Sequence, residues 1–271
     1  MLSLIISLSV ALSIYFTSVA SLGGWSVFWA IIAFFAVQVI TALVLRKRIM
    51  AVQQAIQSTI MNGQKRLNAK MTQMQQRGAT NMKVAQKVLE SEQAKFINEA
   101  LTLTDALEPY CKWSLMMSKQ ISTMRMQFHF QLKAYDKVDE LLPKVLMMDP
   151  MIYAIKLARE YKKGELEAMA KTFKKGKTRF RGEKSTMVYA VYSWALVKKG
   201  QVDEAIMVLN EAVKKNSNEV LMNNLNFLKN GKVKLFSNAG LGDMWYTLYL
   251  EEMKQKPVRM KQRGGKGGRP F

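Results

Sequence analysis

The first charged side chain in the sequence is Arg46. Met1 to Leu45 carries no charge, and two stretches within it, residues 2–20 and 25–45, each match the length of about 20 apolar residues that a helix needs to cross a bilayer. Only Ser-Leu-Gly-Gly separates them, which predicts a tight transmembrane helical hairpin over 1–45. A pair of buried core helices is the alternative, but so long a run without charge is rare in soluble domains. Trp25 and Trp29 fall where an interfacial aromatic belt would form. A cleavable leader ending at Ser18 or Ala20 would need a positively charged start, which is missing, and a second apolar span comes at once.

Arg46, Lys47 and Arg48 end the apolar run together. Such a cluster marks the cytoplasmic end of a span and gains from anionic headgroups nearby. The expectation is a two-span protein of an inner (cytoplasmic) membrane, of bacterial type, with everything after Arg46 in the cytoplasm. All 41 Lys and Arg and all 20 Asp and Glu lie beyond Leu45, so that part alone carries the net charge of +21.

Residues 46–104 repeat with a clear period. Ile49, Val52, Ile56, Ile60, Gly63, Leu67, Met71, Met74, Gly78, Met82, Ala85, Leu89, Gln93, Phe96 and Ala100 keep a three-four-four spacing without a slip. This eleven-residue repeat keeps one stripe on one face of a nearly straight helix. It predicts a basic amphipathic stalk helix, roughly 85–90 Å long if unbroken. Gly63 and Gly78 lie on the stripe, where they would admit a neighbouring helix closely. The stripe serves either as one side of an ordinary helical domain or as a stalk that pairs with a copy of itself or a partner. Nine basic residues and no acidic one lie between Arg46 and Lys87.

Beyond Lys119 the pattern changes to short helical pairs. Residues 134–150 carry Ala134, Tyr135, an apolar series at Val138, Leu142 and Val145, and a closing Asp149–Pro150. Residues 198–217 repeat the arrangement with Gly200, Val202, Ala205, Leu209 and Ala212. Between them lie Gly164, Leu166, Met169 and Phe173, and a truncated fourth turn ends at Val233.

This spacing resembles the tetratricopeptide repeat family, whose unit is a helix–turn–helix of 34 residues. The matching parts are the small residue of the turn, the apolar residue two positions on, the Ala-type packing position and the terminal Pro. Val138 and Met169 stand where Ala is usual, Ser217 where Pro is usual, and the intervals are 31 and 36. With the transmembrane hairpin and the long amphipathic helix read above, the resemblance implies an all-α architecture that closes, over 105–253, with an α-solenoid of about three repeats. It also implies a scaffold or adaptor whose curved surface holds a protein partner. Family members that grip a peptide carboxylate use Lys, Arg and Asn on the first helices. Asn223, Asn224 and Asn226 lie on such a helix but read as surface or capping residues.

Two basic clusters remain. Lys174, Lys175, Lys177, Arg179, Arg181 and Lys184 interleave with Phe173 and Phe180, and residues 254–271 form a Gly-rich tail bearing Lys261, Arg263, Lys266 and Arg269. Such a tail cannot bury enough apolar surface to fold alone. These clusters suit an acidic protein, anionic lipid, or RNA and the ribosome. The alternative function is therefore a membrane-tethered module that binds RNA or lipid.

Nothing points to catalysis. Nucleophile-elbow, zincin, P-loop and dinucleotide signatures are missing from the sequence. The single cysteine, Cys111, and single histidine, His129, exclude a disulfide framework and a self-contained Cys/His zinc site, and both read as packing residues. The chain is thus read as a non-enzyme with no cofactor, metal or catalytic residue.

Overall fold

The computed structural model describes residues 2–23, 25–76, 82–114 and 116–252 of the chain. Every element among them is helical, as expected for an all-α protein. They group into two compact units that divide between Met147 and Met148.

The first unit opens with α1 (Leu2–Leu22) and α2 (Trp25–Gln76), joined through Gly23 at φ +53°. The two run antiparallel, with Gln38 Nε2 donating to Ser7 Oγ at 2.8 Å. The hydroxyls of Ser9, Ser13, Thr17 and Ser18 donate back to carbonyls four residues earlier. Each polar group is thereby satisfied inside its own helix, and the outer surface stays apolar, with Leu4, Leu8, Phe16, Phe28, Phe35 and Leu43 exposed. Both helices are long and apolar enough to cross a membrane; their most apolar windows have mean hydropathy 2.0 and 2.5 and are only 11% and 0% buried.

Two expectations are corrected here. The second apolar stretch does not end as a helix at Leu45, because α2 continues through Arg46–Arg48 to Gln76 as 52 residues, roughly 78 Å long. No proline interrupts it, so the change at Arg46 is one of chemistry and not of backbone. Nor is 46–104 one stalk. Its second half is a separate helix, α3 (Met82–Leu103), folded back on the first. Lys70 meets Glu92 at 2.9 Å, the Phe96 ring lies against Gly63, and Ile56 shares a core with Ile97 and Ala100. The stripe that could have paired with a second copy is covered over these residues by its own continuation. Gly78, on the same stripe, lies outside the described residues.

A 3-10 segment, Thr104–Lys112, comes next, held by Arg125, whose Nη2 donates to Asp105 and Glu108 and whose Nε donates to Thr104 Oγ1. Then α4 (Met117–Gln131) adds Met117, Ile121 and Phe128 to the core of α2 and α3, and α5 (Tyr135–Leu141) completes the unit. The first expected repeat therefore clusters with the α2–α3 hairpin and not with the later helices.

The second unit contains α6 (Pro150–Lys163), α7 (Leu166–Arg179), α8 (Thr186–Lys198), α9 (Val202–Lys215) and α10 (Glu219–Lys229). Pro150 starts α6, with Asp149 capping the Met151 N–H, so this Asp-Pro opens the next helix instead of stopping the last one. At the centre lies α8, with ten of its thirteen residues buried, packed against α6, α7 and α9. Gly176 of α7 permits close passage, since a Cβ there would sit 2.9 Å from Val188 and 3.0 Å from Tyr153.

One turn recurs four times along the chain. Lys133, Gly164, Gly200 and Gly231 all have positive φ, between 58° and 79°. The next residue's N–H reaches back five positions each time: Ala134 to His129, Glu165 to Glu160, Gln201 to Leu196 and Lys232 to Phe227, at 2.8–3.0 Å. The left-handed residue itself donates three positions back, to Phe130, Tyr161, Val197 and Leu228. This is a Schellman cap, which closes one helix and aims the next. The residues after it share one backbone conformation, from φ −81°, ψ 69° at Ala134 to φ −86°, ψ 52° at Lys232. Three of the turns lead into α5, α7 and α9; after the fourth, only the 3-10 turn Val233–Leu235 forms.

Candidate functional site

The repeat-packing residues read from the sequence lie where these turns place them. Val138, Met169 and Ala205 occupy the same position after successive turns and are 0%, 1% and 0% exposed. Leu209 and Ala212 are fully buried, Tyr135 packs its edge on Phe130, Leu142 and Pro150 are half-buried, and Gly164 and Gly200 form turns.

The face of α8 and α10 is already filled by the chain itself. After the fourth turn, residues 236–251 return across these helices. Asn224 donates to Asn238 Oδ1 at 2.8 Å and accepts the Ser237 N–H at 3.0 Å, while Asn238 Nδ2 reaches the Ala190 carbonyl at 2.9 Å. Trp245, 0% exposed, packs edge-on against Trp194 at 5.8 Å. Glu251 then accepts both indole N–H groups, at 2.7 Å from Trp194 and 2.9 Å from Trp245, with Lys198 at 3.6 Å. Buried indoles need such an acceptor.

This overturns the surface or capping role of Asn224, which is 1% exposed and holds a passing segment through both ends of its amide. Asn223 and Asn226 are exposed. The signal for this clasp was present in the sequence as two tryptophans and the acidic pair Glu251–Glu252 before the basic tail, but nothing local ties them together.

The second surface is basic. Lys171, Lys174, Lys175 and Arg179 are exposed on one side of α7, at spacings of three, one and four, and exposed Arg181 and Lys184 come after them. None of these six has an ion-pair partner among the described residues. Lys171 was not part of the sequence cluster, although its helical spacing places it there. Lys177 leaves the patch. It pairs with Glu211 at 2.6 Å and lies over the Phe173 ring at 5.4 Å. Burial pushes the Glu211 carboxyl up, but hydrogen bonds from Lys177 and Lys215 outweigh it and hold the group at about 2.

The aromatic residues interleaved with these cations are not on the surface. Phe173 stacks on Tyr192 at 4.0 Å, and Phe180 meets Tyr153 edge-on at 5.3 Å; both are buried. Arg46, Lys47 and Arg48 are exposed on α2, and Lys261, Arg263, Lys266 and Arg269 lie outside the described residues.

His129 and Cys111 are half-buried in the first unit, where Cys111 packs on the core and burial, then the charges of Lys137 and Arg125, lower the His129 pKa. Among the described residues no three His, Cys, Asp or Glu side chains converge as a metal-ligand set. No family model, curated protein or solved structure matches the chain.

Proposed function

We propose that this protein is a membrane-anchored helical-repeat scaffold that holds an acidic protein partner at the membrane through the basic side of α7. The observation that carries the reading is the set of six exposed cations without an ion-pair partner among the described residues, at Lys171, Lys174, Lys175, Arg179, Arg181 and Lys184. Like charges this close repel one another, so their cost falls when an anionic surface covers them.

Anchoring is supported by the exposure of α1 and the first part of α2. Core helices of a soluble domain would be buried, whereas these present Leu, Ile and Phe outward along their length. The Arg46–Arg48 cluster supports a cytoplasmic location for the remainder of the chain. The tetratricopeptide-like reading is supported by the four recurring caps and the shared burial of Val138, Met169 and Ala205. The partner's place differs from the expected groove, since residues 236–251 cover the face of α8 and α10.

The reading of RNA, a ribosome or anionic lipid as the partner differs in what it needs. Single strands are held by bases stacking on aromatic side chains between cations, and Phe173 and Phe180 are buried. The test is crosslinking in intact membranes, with and without nuclease, comparing wild type with the chain bearing K171E, K174E, K175E and R179E. The expected result is a protein adduct that survives nuclease and is lost on charge reversal. Adducts that vanish with nuclease, or that persist through charge reversal, overturn the proposal.

A further inference from the structure

The first unit contains a cavity of about 480 Å³ where the apolar run ends. Its walls come from the start of α1, from α2 between Gln38 and Gln53, and from the turn at Trp113–Ser114. Leu45 and Ile49 are among its apolar lining; of its polar lining, Gln38 and Thr41 are already bonded to Ser7 and to their own helix, which leaves Arg46, Gln53, Ser3 and Ser114. Among the described residues the side chains of these four have no hydrogen-bond or ion-pair partner. Farther along α1 the hydroxyls of Ser9, Ser13 and Ser18 are satisfied by their own helix; Ser3 lies in the first turn, where the helix offers its hydroxyl no carbonyl four residues back.

From this convergence we infer that the cavity is a binding site for the phosphodiester headgroup of an anionic phospholipid. The inference rests on the membrane reading above and adds the ligand. A guanidinium gives a phosphate two parallel donors in a fixed fork, and serine hydroxyls and a glutamine amide supply further donors around it. Leu45 and Ile49 continue the apolar surface of α2, along which acyl chains run. Arg46 is the first charged residue after that surface, where the headgroup layer meets a membrane-spanning α2. The indole of Trp113 beside it suits the same boundary, where tryptophan places its apolar ring below and its N–H in the polar layer. A phosphatidylcholine headgroup carries its own cation and gains less from Arg46; a net anionic headgroup gains most.

Inorganic phosphate shares this chemistry, and the experiment separates the two sources. The full chain is reconstituted in nanodiscs of phosphatidylcholine containing phosphatidylglycerol as the minority component, extracted in mild detergent, and weighed by native mass spectrometry. Wild type is expected to retain phosphatidylglycerol in preference to the bulk lipid. R46Q is expected to reduce that retention about tenfold, the loss of one charge-assisted pair, and K65Q, at an exposed lysine of α2 that does not line the cavity, to leave it unchanged. Equal retention in wild type and R46Q overturns the inference, as does retention of both lipids in proportion to their supply. Displacement of the lipid by added inorganic phosphate overturns the lipid as ligand and leaves the free anion. Alkaline carbonate extraction of native membranes is run alongside. Release of the chain by carbonate defeats the membrane reading, whereas a chain that stays embedded but shows no Arg46-dependent retention defeats only the headgroup site.

Discussion

The α2–α3 hairpin and the α6–α10 unit bury apolar surface in opposite ways. In the hairpin, one stripe meets the other half of the same stripe, and the outward positions are largely Gln, Lys, Asn and Thr. Contact is tight where Gly63 receives Phe96. In the later unit, a central helix is buried on every side, and the chain's own return through Trp245 and Glu251 finishes the enclosure. A periodic stripe specifies which side of a helix is covered but leaves the partner open. A repeated cap specifies more, because the first three Schellman turns lead into α5, α7 and α9 through the same backbone path.

The largest effect is expected from breaking the enclosure. Trp245→Ala removes a fully buried indole and leaves Trp194 facing a void and Glu251 short of a donor. A loss of about 3–5 kcal/mol is expected in the second unit, read as an early thermal transition in detergent. The α2–α3 contact should be unaffected, as reported by a crosslink between cysteines placed at Lys70 and Glu92. A single transition at the wild-type temperature would show that the clasp adds little to the unit.

The hairpin breaks in a different way. At Gly63, Ala would gain about 1 kcal/mol of helix propensity, yet its Cβ would sit 2.2–2.6 Å from the Phe96 ring and Cβ. Those atoms are near the backbone of α3 and cannot swing aside, so Gly63→Ala is expected to destabilise the hairpin by about 1–3 kcal/mol. In a chain carrying Phe96→Ala, the same change should be neutral or favourable. A double-mutant cycle measures the difference; additivity would mean that the two residues do not meet.

Charge separates the two regions again. Glu92 in the hairpin and Glu211 in the later unit are each held at about 2, Glu92 by hydrogen bonds from Lys70 and then Lys95, Glu211 by Lys177 and Lys215 against the effect of burial. A carboxyl lowered on folding stabilises fully above its ordinary value of 4.5 and loses that contribution as pH falls toward 2. Acid should therefore weaken both regions over this window. Glu211→Gln is expected to cost about 1 kcal/mol at neutral pH, discounted for its partial exposure, and to flatten the acid limb of the second unit's denaturation curve. An unchanged acid limb would place the pH dependence on other groups.

Much of this was legible in the sequence, and the reasons differ by region. The uncharged run to Leu45 and the turns at Gly164 and Gly200 are local signals, and the helices obey them. Lys133 gave no such signal, because a lysine in the left-handed region is held by the surrounding cap and not by its own preference. The reversal between α2 and α3 was hidden because the eleven-residue period runs through it unchanged. The clasp of Asn224, Asn238, Trp194, Trp245 and Glu251 joins residues up to 57 apart in sequence, and no spacing announces it. The basic side of α7 was half visible: the cations were evident, but the inward turn of Phe173, Phe180 and Lys177 comes from packing against α8, α6 and α9 respectively.

The smallest expected effect concerns Glu160, an acid that folding makes less comfortable. Glu160 stands four residues before Gly164, the position that Leu196 holds before Gly200. Its carboxyl is 9% exposed, accepts Thr172 Oγ1 at 2.8 Å through one oxygen, and has Lys156 only at 3.9 Å. Burial raises its pKa, against the smaller opposing effect of the Thr172 hydrogen bond. A carboxyl raised on folding binds its proton more tightly in the folded state, so it costs stability at neutral pH and returns it as pH falls through the raised value. That is the reverse of Glu211. Glu160→Leu, which copies the equivalent position of α8, is expected to stabilise the second unit by about 1 kcal/mol at pH 7. Thr172 can turn its hydroxyl to its own helix backbone. The gain should shrink as the medium is acidified toward 4.5, where the native carboxyl becomes neutral. A loss of stability at every pH would instead make Glu160, Thr172 and Lys156 a fixed polar link between α6 and α7, which the repeat needs more than a second leucine.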